Sequence, residues 1–344
     1  MIRIESKSDK IVEKDTPADG ADNRLKIGNV AISNPLFLGP LAGYTSLPFR
    51  LIAREHGAGV VFTEMISGKG LYYKDHKTAE LMMTAKEEEP AGIQIFGSDP
   101  DILGEVVEKY INATDFAFLD FNAGCPAPKV TKNGDGSALL KTPALLYQVV
   151  KALAKASDKP LIVKTRIGWD DDAINIREIA AGIEEAGAAA ITIHGRTREA
   201  FYSGKANWDI IGEVKRNAGI PIILNGDINS GETAQKALEM TGADGLMVGR
   251  AAIGNPFVFN EISHYLKTGE ILPKPTPQQR IGVTLKHLEL LSLLKNEEAG
   301  LREMRKHLAA YTKGLKHATT LRNELFRAPD KTAVIALLKN AVEN

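Results

Sequence analysis

Eight short apolar runs recur along this 344-residue chain, and each has the pattern of a β-strand that ends in a polar residue or a glycine. Their first residues lie 24 to 45 positions apart, and helix-like segments separate them. Connections of that length favour helical crossovers between parallel strands over the short turns of an antiparallel sheet. The predicted strands are Leu36–Gly43, Val60–Ser67, Ala91–Gly97, Phe116–Gly124, Leu161–Gly168, Ala189–Arg196, Pro221–Ile228 and Gly245–Ala252.

Parallel strands that alternate with helices in this number are most economically closed into a (β/α)8 TIM barrel of the α/β class. An open doubly wound sheet is the alternative. It is disfavoured because no Gly-x-Gly-x-x-Gly sequence follows any of the runs, so the dinucleotide-binding fingerprint is missing. The clearest predicted helices are Pro100–Ile111, Pro143–Ala156, Ile174–Ala186 and Gly231–Met240, the last with Ser230 as its N-cap.

Composition divides the chain into four parts. Residues 1–24 carry 11 charged side chains and no sustained apolar period, which is typical of a polar, mobile tail. The barrel is predicted to occupy residues 25–266. Three prolines in Pro273–Pro277 mark a linker over residues 267–277, because proline ends helices and strands alike. Residues 278–344 are predicted to form a small all-helical bundle.

The C-terminal region combines a helical stripe with a basic surface. Residues 276–344 hold 12 Lys and Arg against 7 Asp and Glu, a net charge of +5, although the whole chain is neutral. A charged helical face is often only solvated, but this excess also suits a polyanionic partner. The stripe, at spacings of three and four, is Leu301, Met304, Leu308, Tyr311 and Leu315, and the basic residues around it are Arg302, Arg305, Lys306, Lys313 and Lys316.

Composition also excludes several classes of protein. No run approaches the roughly 20 uncharged apolar residues of a membrane span, and the N-terminus lacks the apolar core of a signal peptide. We therefore expect a cytoplasmic protein without a membrane partner. The single cysteine, Cys125, cannot form an internal disulfide or a cysteine-based zinc site, and we predict no metal.

Cys125 ends a strand-like segment in a Gly-Cys-Pro turn, at the rim where the catalytic residues of parallel barrels collect. A lone cysteine is more often a small buried apolar residue than a reactive one. Taken singly, Lys164 and His194 also fit hydrogen-bonded rim positions, and Asn225–Asp227 fits a simple turn. Nearly every predicted strand ends in such a residue, however, and their convergence on one rim predicts an active site.

The last two strands indicate a phosphate site. Loops after the seventh and eighth strands of such barrels commonly bind phosphate through backbone N–H groups, assisted by a cation. Gly226, Gly249 and Arg250 supply those parts, and Lys164 brings a second cation to the same rim. A phosphorylated cofactor with an electron-poor ring would use both charges.

Seven motifs together resemble those of tRNA-dihydrouridine synthases, from about residue 25 to the C-terminus. The bacterial B type, which has a C-terminal bundle, is the most similar subgroup. The motifs are Asp120–Pro126, Gly136–Leu140, Val163–Asp170, Ile193–Arg198, Tyr202–Trp208, Asn225–Ile228 and Val248–Gly254.

The resemblance implies an FMN-containing barrel that takes electrons from NADPH and reduces a uridine in the tRNA D-arm to 5,6-dihydrouridine. It assigns Cys125 as the proton donor to C5 of the base, and a thiol suits that role because it is mostly protonated at pH 7. The implied FMN contacts are Pro40, Leu41 and Ala42 behind the ring, Gln94 at its edge, Lys164 at its pyrimidine end, His194 beside it, and Asn225, Gly226, Asp227, Gly249 and Arg250 at the phosphate. The basic residues of the bundle would contact the tRNA.

The segment Gly39–Ser46 departs from the family pattern at three positions. Leu41 stands where methionine is usual, Tyr44 where a small aliphatic residue is usual, and Ser46 where an acid or amide is common. Flavin contacts in this segment are mainly through the backbone, so we expect flavin binding to survive.

Three alternatives stay open. A strand-end lysine in a phosphate-binding barrel also fits a Schiff-base aldolase with Lys164 as the nucleophile. A flavin-dependent dehydrogenase of free pyrimidines would share the barrel, the flavin and Cys125, but it would have no use for a basic bundle. An RNA-binding protein on an inactive barrel would have no need of Cys125, Lys164 and Arg250.

Overall fold

A barrel of parallel strands lies at the centre of the protein in its computed structural model, which describes residues 25–75, 78 and 80–343. Short apolar, β-branched segments form these strands, as the sequence pattern predicts. The strands in the described ranges are β1 (Leu25–Ile27), β2 (Val30–Ile32), β3 (Leu36–Leu38), β4 (Val61–Phe62), β5 (Ile66–Ser67), β6 (Ala91–Phe96), β7 (Phe118–Ala123), β8 (Leu161–Arg166), β9 (Ala190–His194), β10 (Ile222–Asn225) and β11 (Gly245–Val248).

The barrel runs in the order β3–β11–β10–β9–β8–β7–β6–β4, and each neighbouring pair is parallel. Hydrogen bonds from Leu38 N to Val60 O (2.8 Å) and from Gly59 N to Leu36 O (2.7 Å) join β3 to the start of β4 and close the ring. The predicted TIM barrel is therefore confirmed, and the open doubly wound sheet is excluded.

All eight predicted strands are present, but they are shorter than predicted. The run Val60–Ser67, for example, contains the short strands β4 and β5, separated by Thr63–Met65. The predicted runs are too long because the last residues of each run, many of them glycines such as Gly39, Gly97 and Gly168, have left the ladder and form loops. Those loops form the mouth of the barrel.

An antiparallel hairpin of β1 and β2, which we did not predict, covers the amino-terminal end of the barrel. Ile27 and Ile32 are fully buried there and pack with Phe37, Phe62 and Phe118 from the barrel strands. Burying an isoleucine contributes about 1.5–3 kcal/mol. The hairpin thus closes this end of the barrel and leaves the opposite end as the mouth.

Helices form the crossovers between strands. The helix Pro143–Ala156 has the predicted bounds, and Ser230 caps the helix that begins at Gly231, since its Oγ accepts the N–H of Thr233 (3.2 Å). The α-helices in the described ranges are α1 (Leu47–Glu55), α2 (Gly68–Tyr72), α3 (Pro100–Val106), α4 (Pro128–Thr131), α5 (Pro143–Ala156), α6 (Ile176–Glu185), α7 (Trp208–Asn217), α8 (Gly231–Thr241), α9 (Val258–Thr268), α10 (Pro277–Leu294), α11 (Glu297–Tyr311), α12 (Ala318–Arg327) and α13 (Lys331–Glu343). A π-helical turn, Val107–Ile111, continues α3 to the predicted end at Ile111.

Helices α10 to α13 form the C-terminal all-helical region. All five residues of the predicted stripe are buried in its core, which also contains Leu288 and Leu325. Thr276 caps α10, because its Oγ1 accepts the N–H of Gln279 (3.2 Å), and Pro277 is the first helical residue. The segment between α9 and α10 that has no regular structure is therefore Gly269–Thr276. The domain boundaries given above stay predictions.

The helical region packs against α1 of the barrel. The ring of Phe49 lies 5.8 Å from that of His287 and 5.6 Å from that of His307, between centroids. At the edge of this contact, Lys286 pairs with Glu55 (2.5 Å). Both parts of the molecule thus meet next to the loop that follows β3.

The predicted tail, residues 1–24, lies outside the described residues. Within the described ranges, none of the helices has the length and apolar character needed to cross a membrane.

Candidate active site

A cavity of about 710 Å³ opens at the carboxyl ends of the barrel strands. This volume is typical of sites for small molecules and cofactors. All twelve residues predicted for catalysis or cofactor binding line it. They are Pro40, Leu41, Ala42, Gln94, Cys125, Lys164, His194, Asn225, Gly226, Asp227, Gly249 and Arg250.

The loop after β3 forms one wall of the cavity. Leu41 N donates to Thr45 Oγ1 (3.0 Å), and Tyr44 N donates to Leu41 O (2.8 Å). Gly43 N is bound by the carboxylate of Glu64. These bonds hold the loop in a compact turn, and Pro40 and Leu41 give it an apolar surface.

A chain of hydrogen bonds leads from a buried carboxyl group to the cysteine loop. Gln94 Nε2 donates to Asp120 Oδ2, and Gln94 Oε1 accepts from Asn122 Nδ2 (2.8 Å). Asn122 Oδ1 in turn accepts from the backbone N–H groups of Gly124 (3.1 Å) and Cys125 (2.8 Å). Asp120 Oδ2 accepts from the amide nitrogen of Gln94, so Asp120 orients Gln94, and the oxygen of Gln94 in turn orients the amide of Asn122.

Asp120 beneath the cavity and Lys164 in its wall have strongly shifted pKa values. Burial raises the pKa of Asp120 to about 7, although the hydrogen bond from Gln94 and the charge of Lys164 oppose the shift. Burial lowers the pKa of Lys164 to about 8; Arg166 adds to this shift, while Asp120 and Cys125 oppose it. Both groups therefore titrate near neutral pH, as groups at catalytic sites often do.

The backbone on either side of the Cys125 thiol is fixed. The carbonyl oxygen of Cys125 accepts from Ser137 Oγ (2.9 Å) and Ser137 N (3.1 Å). Gly136 has φ +61°, and a Cβ there would lie 2.9 Å from the same carbonyl oxygen, so this close approach requires glycine. The half-buried thiol is thus held at the cavity wall by a rigid loop.

Lys164 is held on the side of the cavity formed by β8 and β10. Its Nζ donates to Asn225 Oδ1 (3.1 Å), and Asn225 Nδ2 donates to Met247 O (2.8 Å). Asn225 therefore orients the lysine rather than offering both of its polar atoms to a ligand.

His194 is neutral. Its Nε2 lies 3.3 Å from Nη1 of Arg196, which can only donate, so Nε2 accepts and the proton is on Nδ1. Burial, together with the charges of Lys164 and Arg166, lowers the pKa of His194 far below its usual range. The side chain contributes hydrogen bonding and no charge.

Asp227 stabilises the loop after β10. Both of its carboxylate oxygens accept from Arg196 Nη2 (2.7 and 2.9 Å), and Oδ2 also accepts from Ala206 N (2.7 Å). Burial alone would raise the pKa of Asp227, but these hydrogen bonds outweigh it and lower the pKa. Because both oxygens of this ionised carboxylate already accept hydrogen bonds, Asp227 orients the loop. An anion bound here would contact the backbone of the loop and not the Asp227 side chain.

Gly226, Gly249 and Arg250 provide the features of an anion site. Gly226 has φ +118°, and a Cβ there would lie 2.8 Å from the Cβ of Ala206, so only glycine fits without strain. A Cβ at Gly249 would meet no described atom within 4 Å, which places its backbone beside open space. The guanidinium of Arg250 lies 4.4 Å from the ring centroid of Tyr202 and is half exposed.

Arg166, which received no predicted role, connects two loops of the mouth. It is buried, and it donates to the carbonyl oxygens of Gly124 (3.0 Å), Thr197 (2.8 Å) and Phe201 (2.8 Å). Its position at the end of a predicted strand indicated that it lies at the rim. Its partners were not predictable because they are backbone atoms of separate loops.

Several other residues that line the cavity received no predicted role. Asn122 ends a predicted strand and Tyr202 belongs to a motif, so both carried a signal. Tyr44 was noted as a departure from the family pattern but received no role, and Met65 carried no signal beyond its nearness to a strand end. Among the missed residues that line the cavity are Tyr44, Met65, Asn122, Arg166 and Tyr202.

The five basic residues predicted to bind tRNA do not converge on the cavity. Arg302, Arg305, Lys313 and Lys316 are exposed on the helical region. Lys306 is half-buried, and its Nζ lies 5.7 Å from the ring centroid of Tyr44 at the cavity wall. In the part of the chain that the structure describes, no group of three or more His, Cys, Asp and Glu side chains is arranged to hold a metal ion.

Comparisons with known proteins point to one family. The family model "Dihydrouridine synthase" matches residues 37–344. The chain is 40% identical to "tRNA-dihydrouridine synthase B" of Pseudomonas aeruginosa over 92% of this chain and 95% of that protein. It is 41% identical to "Probable tRNA-dihydrouridine synthase 1" of Synechocystis sp. over 88% of this chain and 85% of that one, and 40% identical to the B-type protein of Vibrio vulnificus over 87% and 92%.

Solved structures support the fold. Histamine dehydrogenase from Rhizobium sp. 4-9 aligns with a TM-score of 0.55 at 12% identity, covering 94% of this chain and 64% of that one. Morphinone reductase aligns with a TM-score of 0.51 at 12% identity, covering 76% of this chain and 94% of the reductase. At these identities the likeness concerns the barrel architecture alone.

Proposed function

Because the chain belongs to the dihydrouridine synthase family, we propose that it reduces a uridine in the D-arm of tRNA to 5,6-dihydrouridine. The observation that carries the proposal is the cavity at the barrel mouth, where the only cysteine, a buried lysine and a glycine-rich anion site face one volume. Relatives about 40% identical over most of the chain are named for this activity. With tRNA as its substrate, the enzyme would work in the cytoplasm.

FMN fits the residues of this cavity. The backbone at Gly249 opens on the cavity with room for a ligand, and Arg250 supplies a cation for its phosphate. A bound flavin supplies hydride for the reduction. The proposed contacts are Pro40, Leu41 and Ala42 behind the ring, Gln94 at its edge, Lys164 at the pyrimidine end, His194 beside the ring, and Asn225, Gly226, Asp227, Gly249 and Arg250 around the phosphate.

Cys125 is the proposed proton donor. The C5=C6 bond of uracil is conjugated to the C4 carbonyl, so hydride addition at C6 leaves negative charge on C5 and O4. Transfer of the thiol proton to C5 completes the reduction and leaves a thiolate, which takes a new proton from water. The hydrogen bonds to the N–H and C=O of Cys125 hold the backbone that carries the thiol at the cavity wall.

NADPH is the proposed electron donor. No dinucleotide-binding fingerprint follows any strand, so we expect NADPH to enter the same cavity, deliver its electrons and leave before tRNA binds. The target base is stacked inside folded tRNA and must be turned out to reach the cavity. Arg302, Arg305, Lys306, Lys313 and Lys316 would bind the phosphates of the tRNA meanwhile.

A purified sample tests the function. The protein should be yellow, NADPH should bleach its flavin absorbance, and tRNA transcribed in vitro, which carries no modification, should gain dihydrouridine. A colourless protein that binds no added FMN, or a flavoprotein that leaves the transcript unchanged, would contradict the proposal.

The variant Cys125→Ala tests the proton donor. Removing the general acid should slow dihydrouridine formation by about 10²- to 10⁴-fold. Bleaching of the flavin by NADPH provides the internal comparison, since that step requires no proton from the thiol. Dihydrouridine formation at the wild-type rate would contradict the assignment.

The alternatives fit less well. The family match continues through the helical region to residue 344, which a dehydrogenase of free pyrimidines would not use. A Schiff-base aldolase is disfavoured because the relatives about 40% identical over most of the chain are named dihydrouridine synthases.

A further inference from the structure

Tyr44 places an aromatic ring in the cavity wall, at a position where the family resemblance predicted a small aliphatic side chain. It lies in the turn that follows β3, and its backbone N–H donates to Leu41 O (2.8 Å). The half-buried ring lines the cavity rather than the barrel core. The chain therefore places an aromatic surface at the edge of the mouth.

The helical region holds this ring in place. The rings of Tyr44 and His307 meet edge to face, with centroids 5.3 Å apart and an interplanar angle of 80°. His307 is fully buried, and it also packs on Phe49 of α1. Such edge-to-face contacts are favourable and directional, so the orientation of Tyr44 is set before any substrate arrives.

A cation from the same helix accompanies the ring. The ammonium group of Lys306 lies 5.7 Å from the ring centroid of Tyr44 and would lie 3.6 Å from a Cβ at Gly43. In the described ranges Lys306 forms no ion pair, whereas Arg302 of the same helix lies 3.9 Å from Glu298. An aromatic ring and an unpaired cation thus share one position at the lip of the cavity.

We propose that Tyr44 and Lys306 together bind the nucleotide next to the reduced uridine, with the ring of Tyr44 stacked on its base and Lys306 at the phosphate that joins the two nucleotides. This inference rests on the proposed function. Aromatic rings with nearby cations are the usual means of holding unpaired nucleotides, because every base has a stacking face and every linkage carries a charge. A uridine that enters the cavity brings its neighbour to the lip.

The two residues of the proposed nucleotide site belong to different parts of the fold. Tyr44 belongs to the barrel and Lys306 to the helical region, and their side chains meet beside the cavity. A nucleotide held by both would connect the binding of tRNA by the helical region to the entry of the base into the barrel.

Substitutions of Tyr44 with similar size test the stacking. Tyr44→Phe keeps the ring, and Tyr44→Leu fills much of the space without one. The dissociation constant for tRNA, measured with the flavin-loaded enzyme, should stay within about 2-fold of wild type for Tyr44→Phe and rise about 5- to 100-fold for Tyr44→Leu. Equal affinities of the two variants would overturn the proposal.

A tRNA that lacks the base beside the target uridine tests which nucleotide is bound. Wild-type enzyme should bind this abasic tRNA about as weakly as Tyr44→Leu binds intact tRNA, and the variant should lose no further affinity. If Tyr44→Leu and removal of the base each weakened binding, and the two factors multiplied when both changes were combined, Tyr44 would contact something other than that base. Tyr73→Leu, at a 73% exposed tyrosine, serves as the matched control.

The salt dependence of binding tests Lys306. Lys306→Gln should lower the slope of log Kd against log salt by about 1, because the substitution removes one cation from a phosphate, and Tyr44→Leu should leave the slope unchanged. An unchanged slope for Lys306→Gln would overturn its role. Failure of the proposed function would appear differently, as wild-type enzyme that binds tRNA and forms no dihydrouridine.

Discussion

Asp120 orients the residues of the site from a fully buried position behind the cavity wall. It binds Gln94, which binds Asn122, which binds the backbone of the Cys125 loop. Reversing the amide of Gln94 would break two hydrogen bonds, and reversing that of Asn122 would break three. At the residue scale, therefore, the thiol is positioned by a buried acid as well as by its own loop.

The raised pKa of Asp120 makes its contribution to stability dependent on pH. The ordinary pKa is 3.8 and burial raises the pKa to about 7, so the folded protein keeps a proton that the unfolded chain has released. This contribution is fully present below about pH 4 and is lost as the pH rises through 7. Asp120→Asn removes the titration and keeps an acceptor for Gln94.

We therefore expect the difference in free energy of unfolding, wild type minus Asp120→Asn, to fall between pH 4 and 7 and to level off above. Chemical denaturation across that range measures it. A difference that does not vary with pH would contradict the burial of an ionisable carboxyl group.

At this scale the sequence predicted which residues meet but not how they bind. Cys125, Lys164 and Arg250 were expected at one rim, because the ends of parallel strands converge. The bonds of Arg166 to three loop carbonyls, and those of Arg196 to Asp227, depend on loop conformations that the strand pattern does not determine.

The most unusual contact between elements is a pair of neutral histidines between α10 and α11. The ring centroids of His287 and His307 are 4.3 Å apart, and both rings pack on Phe49 of α1. Burial lowers the pKa of His287 to about 3, and Lys306 adds to the shift. Burial also lowers the pKa of His307, with further contributions from His287 and Lys306.

These shifts make the contact sensitive to acid. Because the pKa of both histidines is lowered in the folded state, their contribution to the free energy of unfolding is fully present above about pH 6.5. It is lost as the pH falls toward 3, because the histidines of the unfolded chain take up protons first. His287→Gln with His307→Gln should flatten the loss of stability between pH 6.5 and 4. The loss of stability is measured as the shift of the denaturant midpoint with pH, and His317→Gln, at an exposed position, is the control. An acid loss as steep as wild type would contradict the account.

Elements were predictable where their patterns were long. The helix Pro143–Ala156 has clear apolar periodicity and a proline at its start, and its bounds were predicted correctly. The hairpin of β1 and β2 was missed because each strand has three residues, too few to show alternation. The helix α9 was likewise not predicted, although Val258, Phe259 and Ile262 are its buried face.

The whole molecule combines a basic helical region with a net acidic remainder of the chain. Residues 276–344 carry a net charge of +5, and the rest of the chain balances it. The sequence predicted this asymmetry. It did not predict that the helical region would pack beside the cavity mouth, because that contact depends on how the ring of Phe49 packs against two neighbouring histidines.

Neutralising the exposed cations of this region should weaken tRNA binding in a salt-dependent way. The combined variant carries Arg302→Gln, Arg305→Gln, Lys313→Gln and Lys316→Gln. Its slope of log Kd against log salt should fall by about 1 for each of these cations that binds a phosphate in the wild-type complex. Lys236→Gln, an exposed cation on a barrel helix, is the control. An unchanged slope in the combined variant would remove these four residues from the interface.

The most direct measurement is the dihydrouridine content of tRNA, mapped by position, in cells that lack this gene. The account predicts that a D-arm position loses dihydrouridine, that the wild-type gene restores it, and that the Cys125→Ala gene does not. Unchanged dihydrouridine in the cells without the gene, or full restoration by Cys125→Ala, would contradict the claim that this cavity reduces a tRNA uridine with the thiol of Cys125.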